Sequence, residues 1–336
     1  MKEYIEKCLN GTDLTIEEAA KALDLIMTGQ ATDIQIAGLL VALRAKGECI
    51  DELVGFARTM RQHSLKVQVD DENAIDVCGT GGDSLGTFNI STIASFVIAG
   101  AGVTVAKHGN KSVSSKSGSA DILTELGVNV QCSTAKTGEC INKVGVGFMF
   151  APMFHPAMKY AGKPRAELGI RTIFNMLGPI TNPAGVKKQL IGTYHASVAT
   201  KLAGTVEKLS TDKTCVVHSN DGMDEVALSG RTTVYEVEKL RAARQYFVDP
   251  TFFDLPSRPL SAMRGGSPKE NAGIAMQVLG KQQGPARDVV VANAAFGLYV
   301  AGKARDLREG VELSAQSIDS GRAAEKLNRM IEFTNA

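Results

Sequence analysis

Residues 76–121 read DVCGTGGDSLGTFNISTIASFVIAGAGVTVAKHGNKSVSSKSGSAD. An apolar run, Ile75 to Cys78, is short enough for a buried strand and breaks into Gly79-Thr80-Gly81-Gly82-Asp83. Three glycines in four positions allow positive φ and close approach of the backbone to a ligand. Asn89-Ile90-Ser91-Thr92 stands directly before the apolar segment Ile93–Ala101, where Asn, Ser and Thr suit the opening of a helix. A second strand, Val103 to Ala106, is expected to end in the loop Lys107-His108-Gly109-Asn110-Lys111, followed by Ser112, Ser114, Ser115, Ser117 and Ser119. Free N–H groups, hydroxyls and lysines side by side favour a polyphosphate. Neither GxxxxGK[ST] nor GxGxxG is present, so this is not a P-loop or a dinucleotide fingerprint.

The chain around this stretch has 336 residues, with 37 Lys+Arg against 36 Asp+Glu. Such a balance argues against general affinity for nucleic acid. No apolar run is long enough to span a bilayer, and residues 1–20 have no signal-peptide core. Six scattered cysteines without a CxxC pair read as reduced thiols of a cytoplasmic protein, and a zinc site is not expected.

Upstream, residues 1–66 read as helical. Thr15 to Glu18 forms a capping box, Gly29 closes that helix, Asp33 is expected to cap the next, and Asp51 to begin a third. Residues 67–73 are a polar join. From residue 74 the alternation of strand, loop and helix predicts an α/β sheet with ligand loops at its strand ends. Helices are expected over 121–126 and 134–144, with a short buried strand at Phe148–Phe150. Lys163-Pro164 is expected to fix a bend, and Arg165 to start a helix running through Ile170, Ile173 and Phe174. Thr214–His218 reads as a strand ending in a loop with Asp224-Glu225. Segments around Val234–Val237 and Tyr246–Val248 read as an antiparallel pair, and 268–332 as helical.

GTGGD, NIST and KHGNKSVSSKSGSAD, with FAPMFHPAMK at 150–159, RAELGIRTIFNMLGPITNPA at 165–184 and the Asp224-Glu225 pair, together resemble the anthranilate phosphoribosyltransferases. The resemblance covers almost the whole chain. It implies a small all-helical domain over 1–69, rejoined by a segment near 160–186, and a large α/β domain with a mixed central sheet over 74–336. It also implies transfer of a phosphoribosyl group from phosphoribosyl pyrophosphate to the amine of anthranilate, a step of tryptophan synthesis, with Mg2+, in a homodimer.

On the same resemblance, the donor would be held by Gly79, Gly82, Asp83, Thr87, Asn89, Ile90, Ser91, Thr92, Lys107, His108, Gly109, Asn110, Lys111, Ser112, Val113, Ser114, Ser115 and Ser119. Lys111 stands where many relatives carry Arg, which keeps the charge and loses the bidentate fork. Anthranilate would meet Gly79, Asn110, Arg165, His108, His155, Gly178 and Pro179, with Arg165 for its carboxylate and His108 for its amine. The metal would be held by Ser91, Asp224 and Glu225. No covalent protein nucleophile is required, because the amine is itself the nucleophile. Two other readings of the fold are a pyrimidine nucleoside phosphorylase and a non-catalytic nucleic-acid binder. A KHGNKSVSSKSGS loop and near-zero charge speak against them.

Overall fold

A computed structural model of the chain describes residues 1–112 and 116–336. Four helices come first, α1 (Lys2–Leu9), α2 (Ile16–Met27), α3 (Asp33–Lys46) and α4 (Ile50–His63). Capping boxes open α2 at Thr15/Glu18 and α3 at Thr32/Gln35, so Thr32 takes the role expected of Asp33. Likewise α4 begins at Ile50, one residue before Asp51, where the Glu52 carboxylate accepts the Cys49 N–H at 2.8 Å. Glu52 is wholly buried but not unpaired: its oxygens also accept from the Leu14 N–H and the Lys46 ammonium. Gly55 lets α4 lie against α2, since a Cβ there would stand 2.4 Å from the Ile16 carbonyl.

The sheet region follows as β1 (Ile75–Gly79), α5 (Ile90–Gly100), β2 (Val105–Gly109), α6 (Ser119–Glu125), α7 (Thr134–Val144), β3 (Val146–Phe150) and α8 (Ala151–Phe154). Next come α9 (Lys159–Leu168), α10 (Phe174–Leu177), β4 (Lys188–Gly192), α11 (Ala196–Lys208), β5 (Lys213–Ser219), β6 (Thr232–Glu238) and β7 (Arg244–Val248). The chain ends with α12 (Pro268–Leu279), α13 (Pro285–Ala301), α14 (Leu307–Asp319) and α15 (Arg322–Asn335). The seven strands lie in the order β3-β2-β1-β4-β5-β6-β7. The first five are parallel, and β6 and β7 are antiparallel additions at one edge. Strand order reverses between β1 and β4, which places the crevice of an open parallel sheet at their carboxyl ends.

Several elements fall elsewhere than the sequence suggests. Strand β2 starts two residues later than expected and takes in Lys107 and His108, because Gly102 at φ +92° turns the chain out of α5 first. Arg165 lies within α9 and does not open a helix. Pro164 is accommodated inside that helix, and Gly169, left-handed at φ +60°, ends it before Ile170. The expected helix over 121–126 starts at Ser119, where the Asp121 carboxylate accepts the Gly118 N–H. Strand β4 and helix α11 have no counterpart in the sequence reading, although β4 is the central strand.

The main core is built by α5 and α13 over the sheet, with Ile93, Phe96, Val97 and Phe296 against Val77, Val105 and Leu190. A second core joins Leu23, Leu39, Leu40 and Phe56 of the first helices to Ala161, Ile173, Phe174 and Leu177 of the 159–177 segment. Phe56 and Phe174 meet edge to face at 6.3 Å.

Candidate active site

The heads of β1 and β4 end side by side at Gly79 and Gly192, which are partners in register. Both must lack a side chain. A Cβ on Gly79 would lie 2.4 Å from Asp224 Oδ2, and one on Gly192 only 1.6 Å from the Asp224 carbonyl. The 224–225 turn after β5 is thereby seated directly on the strand ends. It is fixed from behind by Asn293 of α13, whose amide accepts the Val226 N–H and donates to the Val226 carbonyl, both at 2.9 Å.

From this seat Asp224 Oδ2 accepts the Gly81 N–H at 2.8 Å, and Glu225 Oε1 accepts the Ser91 N–H at 3.1 Å in the first turn of α5. The Ser91 hydroxyl accepts from Lys107 at 3.3 Å, and the same ammonium donates to the Val77 carbonyl. Lys107 is thus buried under the site and tied to the strands, not free at a loop tip. Burial pushes the Asp224 and Glu225 carboxyls well above their usual range. The neighbouring Asp83 adds to this for Asp224, and Asp224 for Glu225. An all-oxygen, net-negative set from Ser91, Asp224 and Glu225 fits a hard divalent cation. By contrast, the one trio of metal-type side chains among the described residues whose ligand atoms crowd together, Asp13, Cys49 and Glu52, already has the Lys46 ammonium between its carboxylates.

The glycine loop is held in shape by its own turn. Gly81, Gly82 and Ser84 have φ of +65°, +77° and +60°. Asp83 accepts from the Leu85 N–H at 3.1 Å and lies 3.5 Å from the Thr87 hydroxyl. Arg171 donates to the Gly82 carbonyl at 2.5 Å and stacks 4.2 Å over Tyr194. Ile90 and Thr92 are buried in the first turn of α5. Asn89 caps that helix without a side-chain bond to it. Its amide is spent on the Ser117 carbonyl and hydroxyl and on Asn271, so it braces the second loop to α12.

Beyond β2, Gly109 admits the Ser119 hydroxyl, which donates to the Asn110 carbonyl, while the Asn110 side chain accepts the Lys111 N–H. Lys111 stands 6.0 Å over the Phe150 ring. Asp121 Oδ2 accepts the N–H groups of both Ser112 and Gly118 at 3.0 and 2.9 Å, closing the loop at its base. Val113, Ser114 and Ser115 lie outside the described residues.

On the other side of β2 the rings of His108 and His155 stand 5.2 Å apart, both buried. His108 Nδ1 meets the Gly178 carbonyl at 3.1 Å. A carbonyl only accepts, so Nδ1 carries the proton and Nε2 the lone pair. That Nε2 has no hydrogen-bond partner among the described residues, and the His155 ring has at most a weak one in the Thr181 backbone. Desolvation lowers His108 to about 3 and His155 to about 4, so both are neutral at pH 7. The Pro179 carbonyl is held by Gln189 at 2.6 Å. Arg165 lies half-buried over the Phe174 ring at 4.9 Å with no ion-pair partner among the described residues.

Sequence reading brought out the two anion loops, the acid pair, the histidines and Arg165. It missed Gly192, Asn293, Arg171, Asn271 and Gln189. Gly192 follows only the apolar pair Leu190-Ile191, too short to mark a strand head. The other four carry no local signal.

The glycosyl transferase family matches this chain in two parts, its helical bundle domain over residues 2–64 and its a/b domain over residues 71–324. An anthranilate phosphoribosyltransferase of Pelotomaculum thermopropionicum is 50% identical over 334 residues, covering 99% of this chain and 96% of the relative. The crystal structure of the anthranilate phosphoribosyltransferase from Thermus thermophilus superposes with a TM-score of 0.94 at 41% identity, covering 99% of both chains. The Saccharomyces cerevisiae enzyme in complex with PRPP and Mg gives 0.92 at 28% identity, covering 99% of this chain and 97% of that one.

Proposed function

This chain belongs to the anthranilate phosphoribosyltransferases of the glycosyl transferase family, and from that premise we propose how its residues carry the reaction. It transfers the phosphoribosyl group of 5-phosphoribosyl 1-pyrophosphate to the amine of anthranilate, giving N-(5-phosphoribosyl)anthranilate and pyrophosphate in tryptophan synthesis. The amine nitrogen bonds to C1 of the ribose, and the C1–O bond breaks with its electron pair leaving on pyrophosphate. The observation that carries this reading is the oxygen set of Asp224, Glu225 and Ser91 seated on the β1 and β4 heads beside Lys107.

Ser91, Asp224 and Glu225 would hold the Mg2+ that the enzyme uses, which would offset charge on the leaving pyrophosphate. Gly79, Gly82, Asp83, Thr87, Ile90 and Thr92 shape the first donor loop, and Asn110, Lys111, Ser112 and Ser119 the second. Asn89 braces that second loop. Arg165 receives the anthranilate carboxylate, while His155, Gly178 and Pro179 line the slot. His108, whose Nε2 lone pair is buried and unpartnered, takes the proton released on bond formation. A weak base suffices, because an N-protonated aryl amine is strongly acidic. Alignment of two bound substrates is worth about 7–11 kcal/mol and needs no covalent intermediate. The near-full-length relatives named above are anthranilate phosphoribosyltransferases, which does not favour the nucleoside phosphorylase or nucleic-acid-binding readings.

Loss of anthranilate fluorescence on mixing with PRPP and Mg2+ tests the reaction; an unchanged signal would refute it. Arg165→Ala should raise the KM for anthranilate about tenfold or more while leaving that for the donor near its original value. Equal changes would remove Arg165 from the acceptor site.

The helical domain is taken as residues 1–69 with the returning 160–186 segment, and the α/β domain as 74–336. Two copies associate through the helical domain, where Leu9 of α1 and Ile34 and Val41 of α3 are exposed apolar residues, Ile34 at 85%. The six free thiols favour the reducing cytoplasm. Among the described residues no helix is long and apolar enough to cross a membrane.

A further inference from the structure

Strands β1 and β2 are joined in register only at Ile75↔Val105, whereas β1 pairs with β4 as far as Gly79 and β2 with β3 as far as Gly109. Toward the site the two strands part, and side chains take the places of the missing ladder bonds. The His108 N–H donates to Asp76 Oδ1 at 3.1 Å. The Ala106 carbonyl accepts from Asn182 Nδ2 at 2.9 Å, and the same amide donates to Asp76 Oδ2 at 2.8 Å. The Val77 carbonyl accepts from Lys107. Asp76 is fully buried and Asn182 nearly so.

The arrangement closes on itself. Asp76 holds the main chain of His108, the His108 ring donates to the Gly178 carbonyl, and four residues on Asn182 returns to Asp76. Thr181, between them, donates to the carbonyls of Leu177 and Gly178. Nothing in this circuit is needed to bury apolar surface. A buried carboxylate and carboxamide are a poor source of net stability compared with an apolar pair of like volume. What they fix is geometry: the spacing of β2 from β1 and the carbonyl that sets the His108 tautomer.

We propose that Asp76 and Asn182 are a positioning pair for the acceptor side of the site, holding His108 and Gly178 in place without touching substrate. The inference rests on the reaction given above. Lys107 serves the donor side through its bonds to Val77 and Ser91 and meets Asp76 through charge alone, so loss of the pair should weigh more on the acceptor than on the donor.

The test uses the full-length Asp76→Asn and Asn182→Asp variants and their combination. In Asp76→Asn, an amide donor confronts either the Asn182 amide or the His108 N–H. In Asn182→Asp, two carboxylates abut. The double variant restores a carboxamide facing a carboxylate with its direction reversed, keeps an acceptor for His108, and loses the donor to Ala106 and the weak acceptor of the Cys78 thiol. Each single change is expected to raise the KM for anthranilate about tenfold or more. The dissociation constant for PRPP with Mg2+, measured by calorimetry without acceptor, should stay within about threefold. The double variant should recover most of the lost acceptor affinity, a coupling that independent defects do not show. Should either single variant fail to fold, the double variant and Asn182→Ser carry the same comparison. An unmoved anthranilate KM, donor and acceptor constants shifting in parallel with the melting temperature, or a double variant worse than both singles would overturn the proposal. Wild-type turnover separates the two claims. An inert wild type refutes the reaction and this inference with it, while an active wild type with undivided variants refutes the inference alone.

Discussion

Glu225 concentrates the chemistry of the site in one side chain. Its carboxyl is raised by burial and by Asp224, while Lys107 and Ser91, through both its N–H and its hydroxyl, act against that. Glu225→Gln keeps the shape and removes the charge. Turnover is expected to fall on the order of 100-fold, the usual scale for losing an electrostatic group of this kind, with a shallower response to Mg2+. A magnesium titration that superposes on the wild type would remove Glu225 from the metal. The histidines make a second prediction. His108 and His155 titrate near 3 and 4 when folded, against 6.5 as free side chains. Between those limits the unfolded chain binds more protons, so their contribution to stability is full above about pH 6.5 and drains as the pH falls. The raised carboxyls of Asp224 and Glu225 act in the opposite sense. The measurement is therefore a difference: His155→Gln should lose less melting temperature than the wild type between pH 7.5 and 5. Equal losses would show that His155 takes up its proton at the same pH folded as unfolded, and that burial does not depress it.

At the scale of elements, the head of β4 is the least replaceable point. Gly192→Ala would put a methyl group into the Asp224 carbonyl, and the 224–225 turn must move. Overpacking of this type costs roughly 1–3 kcal/mol. A lower melting temperature should accompany a loss of metal-dependent turnover larger than that from Gly273→Ala in α12, whose Cβ would meet nothing within 4 Å and whose backbone is not left-handed. Equal activities would mean that the turn is not seated as described. Strand β4 was also the element least legible in the sequence. Its five residues, KQLIG, offer three without charge or amide, too few for a period, and its buried Gln189 is satisfied only by the distant Pro179. Helix α7 was legible to the residue because Ser133 caps it and Gly145 closes it. The anion loops were readable because glycine, hydroxyl and lysine lie consecutively. Asn182, Asn271 and Asn293 were not, since each acts on a backbone or side chain 67 to 182 residues away.

For the whole molecule, the helices of residues 1–66 do not own their core. Phe174, Ile173, Leu177 and Ala161 complete it, and Val198, Leu202 and Val206 of α11 continue it toward the sheet. A fragment of residues 1–66 should therefore melt without a cooperative transition, followed by circular dichroism. Adding residues 156–182 in trans should raise its helicity, and a sharp transition of the fragment alone would contradict the shared core. The chain moves between this core and the sheet along three separate paths, at 64–74, 150–159 and 177–188. Three covalent tethers remove most of the relative freedom that one linker would leave. A part held by three stretches of chain has less room to shift sideways than one hung on a single linker, which keeps the glycine loop and the acceptor slot facing each other.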